Sequence, residues 1–215
     1  MKGAVAFDLD GCIIDSRAAI IPSLRVALAP FGLGDLADDE LRWLIGPPLA
    51  PALAQLLERH GHDPAGADAA LHAYRADYRQ HMLDRTTLMP GMADAVRRIA
   101  EHRLVCVVTS KPAALARPII EHLGLLDTLV FVEGPALDAG DEPKKVTLGR
   151  ALERLGPAVA GAAMVGDRHH DIDAGRAHGL TTIGVLWGIG TAEELTSAGA
   201  DHVVGTPDEL VAVLA

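Results

Sequence analysis

The chain has 215 residues, and because 49% of them are hydrophobic it can form one substantial core domain with a modest insert. Its formal net charge of −10 argues against nucleic acid as a partner, since nucleic-acid binding normally requires a basic face. An acidic chain that handles an anionic substrate must concentrate its few cations at one site.

Short apolar and β-branched runs that end abruptly in polar residues predict the strands of this chain. We place strands at residues 3–7, 104–108, 129–132, 162–165 and 182–186. Stretches with helical periodicity separate most of them, for example 113–123 and 146–155. This alternation indicates an α/β fold with a parallel, Rossmann-like sheet that is covered by helices on both faces. Ligands bind at the carboxyl ends of such strands, so the polar residues there are the candidate site.

One segment, residues 16–84, interrupts this alternation because it contains no convincing strand. Proline and glycine divide it into helical pieces, and residues 69–83 carry apolar and aromatic side chains at helical spacing. We therefore predict an inserted, all-helical cap at 16–84 and an α/β core made of residues 1–15 and 85–215.

Two carboxylates, Asp8 and Asp10, follow the first predicted strand directly. Residues two apart in an extended chain point the same way, so both side chains can face one site. Adjacent carboxylates repel each other, and a divalent cation is the usual remedy. Gly11 would allow a sharp backbone turn beside a ligand. A solvated Asp-Gly turn at the end of a strand is the open alternative.

The second predicted strand ends in Thr109 and Ser110, whose hydroxyls can donate hydrogen bonds to a phosphate. The alternative is that Ser110 caps the helix that follows. Lys144 and Lys145 precede the helix at 146–155, and a lysine there could neutralise a phosphoryl group. Spacing alone does not decide which lysine points inward, and a solvated surface pair is also open.

The fourth predicted strand ends in Gly166 and Asp167, and Asp171 follows where a helix begins. Asp167 is placed to ligate the same cation as Asp8. Asp171 fits either the first turn of the helix, which favours negative charge, or the outer shell of a metal site. An acidic cluster at one sheet edge needs neutralisation, so we favour a functional interpretation here.

These residues together resemble a known family. The ordered set Asp8-x-Asp10-Gly11, Thr109, Lys144 and Gly166-Asp167-x-x-x-Asp171 is similar to the four motifs of haloacid-dehalogenase-superfamily phosphatases. The segments Ile45-Gly46-Pro47-Pro48-Leu49, Gly166-Asp167-Arg168 and Gly184-Val185-Leu186-Trp187-Gly188 resemble its phosphoglycolate-phosphatase-like and 5′-nucleotidase-like branch. Four motifs in order, each closing a predicted strand, make the resemblance specific.

The resemblance implies catalytic roles for the two N-terminal aspartates. Asp8 would attack phosphorus and form an aspartyl-phosphate. Asp10 would protonate the leaving oxygen and later deprotonate the hydrolytic water. Thr109 and Lys144 would bind the phosphoryl oxygens, with Ser110 as a further candidate. The family's spacing favours Lys144 over Lys145.

The resemblance also implies a magnesium cofactor. Its ligands would be the Asp8 carboxylate, the main-chain carbonyl of Asp10 and Asp167, with Asp171 in the second shell. Gly46, in the cap motif, would contribute to substrate specificity.

The sequence therefore predicts a Mg²⁺-dependent phosphatase for a small phosphorylated metabolite, with phosphoglycolate first and a nucleoside monophosphate second. A sugar phosphomutase of the same fold is the nearest alternative, and a non-catalytic phosphate-ligand binding module is another. No membrane partner is expected, because no run approaches the roughly 20 apolar residues of a membrane span. The two cysteines and the lack of a signal-peptide pattern predict a cytoplasmic protein. The oligomeric state is not predicted.

Overall fold

A parallel β-sheet forms the centre of the computed structural model, which describes residues 3–139 and 141–215. Within those residues six strands pair in the order β5-β4-β1-β6-β7-β8. The strands are β1 (Val5–Phe7), β4 (Val105–Val108), β5 (Phe131–Glu133), β6 (Ala163–Gly166), β7 (Thr181–Val185) and β8 (His202–Val204). The predicted α/β class is thereby confirmed, and the bounds of all five predicted strands agree with those of β1, β4, β5, β6 and β7 to within two residues.

Helices cover both faces of this sheet, as a buried parallel sheet requires. They are α5 (Met92–Ala100), α6 (Ala113–His122), α7 (Lys144–Leu155), α8 (His169–Ala177), α9 (Ala192–Ser197) and α10 (Pro207–Leu214). Alternate residues of β1 face opposite layers: Val5 and Phe7 belong to one hydrophobic cluster and Ala6 to the other. Side chains from α5, α6 and α10 lie in the first cluster, and those from α7 and α8 lie in the second.

Four helices occupy the segment between the first and second strands of the sheet. They are α1 (Arg17–Leu28), α2 (Asp38–Leu41), α3 (Leu49–Arg59) and α4 (Ala67–His81). Helix α1 packs along α4, where the Ser23 hydroxyl lies 2.7 Å from an Asp77 carboxylate oxygen. The predicted helical insert is therefore present, and within the described residues no helix is long and apolar enough to cross a bilayer.

A two-stranded antiparallel ribbon marks the point where the chain leaves the sheet region and returns to it. It joins β2 (Ile14–Asp15) to β3 (Thr87–Leu88), with Ile14 opposite Leu88. The ribbon lies at the predicted cap boundaries, residues 15/16 and 84/85, which remain predictions. Residues 1, 2 and 140, which we assigned to the core, lie outside the described residues.

Sequence patterning missed this ribbon and the edge strand β8. Both are too short to show a period, and in β8 only Val204 is buried while His202 and Val203 are exposed. An edge strand with one buried side chain carries no alternating apolar signal that would distinguish it from a loop.

Candidate active site

The central strand β1 brings Asp8 to the middle of the sheet's carboxyl edge. Its neighbours are β4 and β6, and Phe7 pairs with Val107 on one side and Val165 on the other. Residues that follow these three strands must therefore lie close together. The structure in this way gathers Asp8, Thr109 and Asp167 at one edge, as the parallel topology predicted.

A buried lysine joins two of the carboxylates. Lys144 Nζ lies 2.6 Å from Asp8 Oδ1 and also forms an ion pair with Asp171. Lys144 is 6% exposed, Asp8 2% and Asp171 1%, so water screens these charges very little. Burial opposes the charge on Lys144, but Asp171 and Asp8 outweigh that effect and raise its pKa. Lys145, in contrast, is exposed.

Asp167 has one carboxylate oxygen without a hydrogen-bond partner in the described part of the chain. Its Oδ2 accepts a bond of 2.7 Å from the amide of Ile189, whereas its buried Oδ1 has none. Burial, followed by the nearby Asp171 carboxylate, raises the pKa of Asp167 to about 7. Burial likewise raises the pKa of Asp8, although Lys144 acts against this.

The residues around Asp167 fit a divalent cation. Asp8, Asp167 and Asp171 each offer one oxygen, and these oxygens lie within 4.8 Å of one another. Hard cations such as Mg²⁺ prefer carboxylate oxygens. Both oxygens of Asp171 are already used, by Lys144 and by the amide of Arg168, so Asp167 Oδ1 is the better candidate ligand. This favours the outer position that we predicted for Asp171.

Three glycines lie so close to this acidic cluster that a side chain at any of them would collide with a carboxylate. Gly11 has φ +84°, a left-handed backbone that favours glycine, and a Cβ there would collide with the Asp167 carboxylate. A Cβ on Gly188 would collide with the same side chain, and one on Gly166 would collide with Asp171. Glycine in the first and fourth motifs therefore allows the backbone to approach the carboxylates closely.

Asp10 lies apart from that cluster. Its Oδ1 accepts hydrogen bonds from Lys111 Nζ at 2.6 Å and from Ser16 Oγ at 2.5 Å. Sequence reasoning missed Lys111, although its position directly after Thr109 and Ser110 was a usable signal. The Asp10 carboxylate is thus oriented by two donors, and the predicted metal contact of Asp10 concerns its main-chain carbonyl.

The two predicted hydroxyl groups have free hydrogen-bonding capacity. Thr109 is buried and its Oγ1 accepts a bond of 3.1 Å from the amide of Lys111, which leaves the hydroxyl proton free to donate. The buried Ser110 Oγ has no partner among the described residues. Ser110 does not cap the following helix, whose N-cap residue is Pro112. Both hydroxyls can therefore donate to a ligand.

Gly46 lies in the wall of a cavity that opens between the helical insert and the sheet edge. The cavity, with its open mouth, has a volume of about 780 Å³, and Asp10, Ser110 and Lys111 are also in its wall. Gly46 has φ +109°, and a Cβ there would contact the side chain of Arg168 at 3.5 Å. A larger residue at this position would affect both the backbone and the wall of the cavity.

Arg168 connects the insert to the core, and sequence reasoning assigned it no role. Its Nη1 donates to the carbonyl of Ile45 at 3.1 Å, and its Nε donates to Glu194 at 2.9 Å. Glu194 also accepts from the amide and ring nitrogen of His169. Burial alone would raise the pKa of Glu194, but these donors outweigh it and lower the pKa to about 2. No local sequence signal identifies Glu194.

Replacing Glu194 with glutamine is expected to lower the free energy of unfolding at pH 7 by about 1–2 kcal/mol, allowing for partial solvent screening. Because its folded pKa is depressed, the carboxylate stabilises the protein above pH 4.5, and this contribution disappears as pH falls towards about 2. Urea unfolding at pH 7 and at pH 3 measures the difference in the free energy of unfolding between the variant and the native chain. The neighbouring exposed Glu193→Gln is the matched control, and an equal loss at both pH values would contradict this explanation.

Fold and site together define an α/β enzyme whose centre is a buried cluster of carboxylates and lysines at the sheet's carboxyl edge. A match to the family described as haloacid dehalogenase-like hydrolase covers residues 5–185. The chain belongs to this family, which confirms the resemblance predicted from the motifs and makes the protein a hydrolase.

Individual relatives cover nearly the whole chain. The tyrosine-protein kinase PtkA of Mycobacterium tuberculosis is 36% identical over 214 residues, which are 96% of this chain and 70% of that protein. The phosphoglycolate phosphatase of Chromobacterium violaceum is 31% identical over 211 residues, 96% of this chain and 94% of the relative. A predicted phosphatase from Clostridium acetobutylicum has a similar crystal structure, with TM-score 0.91, 29% identity and coverage of 100% and 98%.

Proposed function

We propose that this chain is a magnesium-dependent phosphatase that hydrolyses a small phosphorylated metabolite through an aspartyl-phosphate on Asp8. The observation that carries the proposal is the buried contact of 2.6 Å between Lys144 Nζ and Asp8 Oδ1. The positive charge of a lysine there reduces the repulsion between the carboxylate and the phosphate dianion that approaches it. The second oxygen of Asp8 is then available for attack.

The first step transfers the phosphoryl group to Asp8. An Asp8 oxygen bonds to phosphorus as the bond from phosphorus to the leaving oxygen breaks, and Asp10 donates a proton to that oxygen. Lys111 and Ser16 bind one oxygen of Asp10, which directs the other towards the substrate. Thr109, with its free hydroxyl proton, supports binding of the phosphoryl oxygens.

The second step releases inorganic phosphate. Asp10, now ionised, accepts a proton from water as the water oxygen bonds to phosphorus and the bond to Asp8 breaks. Mg²⁺ would be held by Asp8, Asp167 and the Asp10 main chain, with Asp171 as support. When bound, it supplies positive charge that offsets the repulsion between carboxylates and phosphate.

Two relatives guide the choice of substrates to assay. One is the phosphoglycolate phosphatase described above, and the other is a 5′-nucleotidase of Pseudomonas aeruginosa that is 31% identical over 199 residues. We propose phosphoglycolate first and a nucleoside monophosphate second. The cavity beside Asp10 is where the leaving group of either substrate would be bound.

Tyrosine is a second candidate acceptor of the phosphoryl group, because PtkA is named a tyrosine-protein kinase. Both tyrosines of this chain, Tyr74 and Tyr78, are buried in α4, so neither is accessible to a second copy in this conformation. This observation disfavours self-phosphorylation on tyrosine, and the assay below tests a tyrosine of another chain as the acceptor.

The test measures inorganic phosphate released from a panel of phosphomonoesters, with Mg²⁺ and with a chelator. We expect phosphate release that requires Mg²⁺ and whose rate differs among the phosphomonoesters, so that the rates rank the candidate substrates. Phosphate that moves between two hydroxyls of one sugar without release would instead indicate a mutase. Label transferred from ATP to a tyrosine peptide would indicate a kinase, and no turnover of any substrate would contradict the phosphatase proposal.

A further inference from the structure

The cavity beside Asp10 has mainly apolar walls. Helices α1, α3, α4 and α6 and the loop after Leu44 contribute most of its side chains. The apolar members include Ile20, Leu44, Ile45, Leu49, Leu71 and Leu115. The wall also contains the hydroxyls of Ser110 and Tyr78, which have no hydrogen-bond partner among the described residues, but these can compensate only some of the hydroxyls of a bound polyol for the water that they lose.

Four charged side chains line this cavity, and three of them are already paired. Asp10 and Lys111 pair with each other at 2.6 Å. Glu142 pairs with Arg150 at 2.7 Å. The fourth is Arg75 on α4, which forms no ion pair with any carboxylate in residues 3–139 and 141–215.

Arg75 differs in this respect from the other arginines on the helical insert that could approach the site. Arg17 pairs with Asp15 at 2.6 Å and Arg42 pairs with Asp39 at 3.1 Å, and neither lines the cavity. Arg75 is half-buried, and burial, followed by the charge of Arg79, lowers its pKa. Tyr74 and the exposed Asp138 carboxylate act in the opposite direction, but Asp138 does not form an ion pair with Arg75. Leaving a partly desolvated guanidinium unpaired costs free energy, which a bound anion would recover.

We infer that Arg75 binds a carboxylate on the leaving group of the substrate, so that the substrate is a phosphorylated hydroxy acid with an otherwise apolar skeleton. The phosphoryl group lies at Asp8, the leaving oxygen at Asp10, the carbon skeleton along the apolar walls, and the carboxylate at Arg75. The guanidinium can bind a carboxylate through two parallel hydrogen bonds. This inference rests on the phosphatase function proposed above and adds the residue that selects the substrate.

The experiment compares substrates that differ only in this charge. One pair is 4-phosphonooxybenzoate and its carboxamide, and a second series consists of phosphonooxyalkanoic acids with two to six carbons and their amides. For the native chain we expect KM for the best acid to be about 10- to 100-fold lower than for its amide. In Arg75→Gln this preference should disappear, with KM for the amide unchanged.

Two further variants separate recognition from folding. Arg79→Gln removes an exposed arginine of the same helix that does not line the cavity, and it should keep the full preference for the acid. Arg75→Lys keeps the charge but loses the two-pronged geometry, so it should keep part of the preference. Thermal melting of each variant establishes that it is folded.

Titration with the matching phosphonates, which cannot be hydrolysed, gives a second measurement that is independent of turnover. If the native chain binds the acid phosphonate more tightly than the amide, and Arg75→Gln abolishes this preference, the role of Arg75 is supported. This holds even if the native chain hydrolyses neither ester; that result would contradict only the phosphatase proposal. Equal binding of acid and amide by the native chain overturns the role of Arg75. A preference for the acid phosphonate that persists in Arg75→Gln would also overturn the role of Arg75.

Discussion

Asp8→Asn is expected to reduce phosphate release by at least about 10⁴-fold, because the other carboxylate beside Lys144, that of Asp171, already has both oxygens bound and cannot replace the nucleophile. The loss should appear in kcat, with substrate binding largely retained. A second measurement detects the aspartyl-phosphate itself. Substrate labelled in its phosphoryl group should leave label on the native protein that hydroxylamine removes, and no label on the variant.

The variant is expected to remain folded, which separates loss of chemistry from loss of structure. Asn has nearly the same shape as Asp, and Lys144 keeps its ion pair with Asp171 in the variant, so the substitution should change the melting temperature little. The exposed Asp127→Asn serves as the matched control and should keep full activity. Retention of more than a few per cent of native activity by Asp8→Asn would rule out this nucleophile.

Asp167→Asn is expected to have opposite effects on stability with and without magnesium. Without the ion, the variant should be more stable than the native chain by about 2 kcal/mol or more at pH 8. Asp167 has its pKa raised from 3.8 to about 7, so its ionisation costs stability as pH rises through that window. The difference should be absent below pH 3.8 and constant above about 7.

With magnesium the order should reverse, because an ion that binds only the folded state stabilises it in proportion to the logarithm of its concentration. The native melting temperature should rise with Mg²⁺, more at pH 8 than at pH 6, and that of Asp167→Asn should not. Asp173→Asn, an exposed change on the same helix α8, should respond like the native chain. An equal response to Mg²⁺ in Asp167→Asn would exclude Asp167 as a ligand.

The sequence by itself determined the fold class, the family and the residues at the edge of the sheet. This was possible because each motif directly follows a strand, and parallel strands bring their carboxyl ends to one edge whatever the details of packing. Asp8, Thr109 and Asp167 could therefore be placed together from strand order alone. Their catalytic and metal-binding roles remain predictions.

Tertiary structure alone decided the partners of the charged groups. Lys144 rather than Lys145 reaches Asp8, Lys111 pairs with an aspartate 101 positions away, and Arg168 pairs with Glu194, 26 positions away. None of these pairs has a local pattern, since helix rotation and the packing of the insert on the core set which side chains meet. The same packing leaves Arg75 unpaired in an apolar wall, because whether a charge finds a partner depends on every element around it.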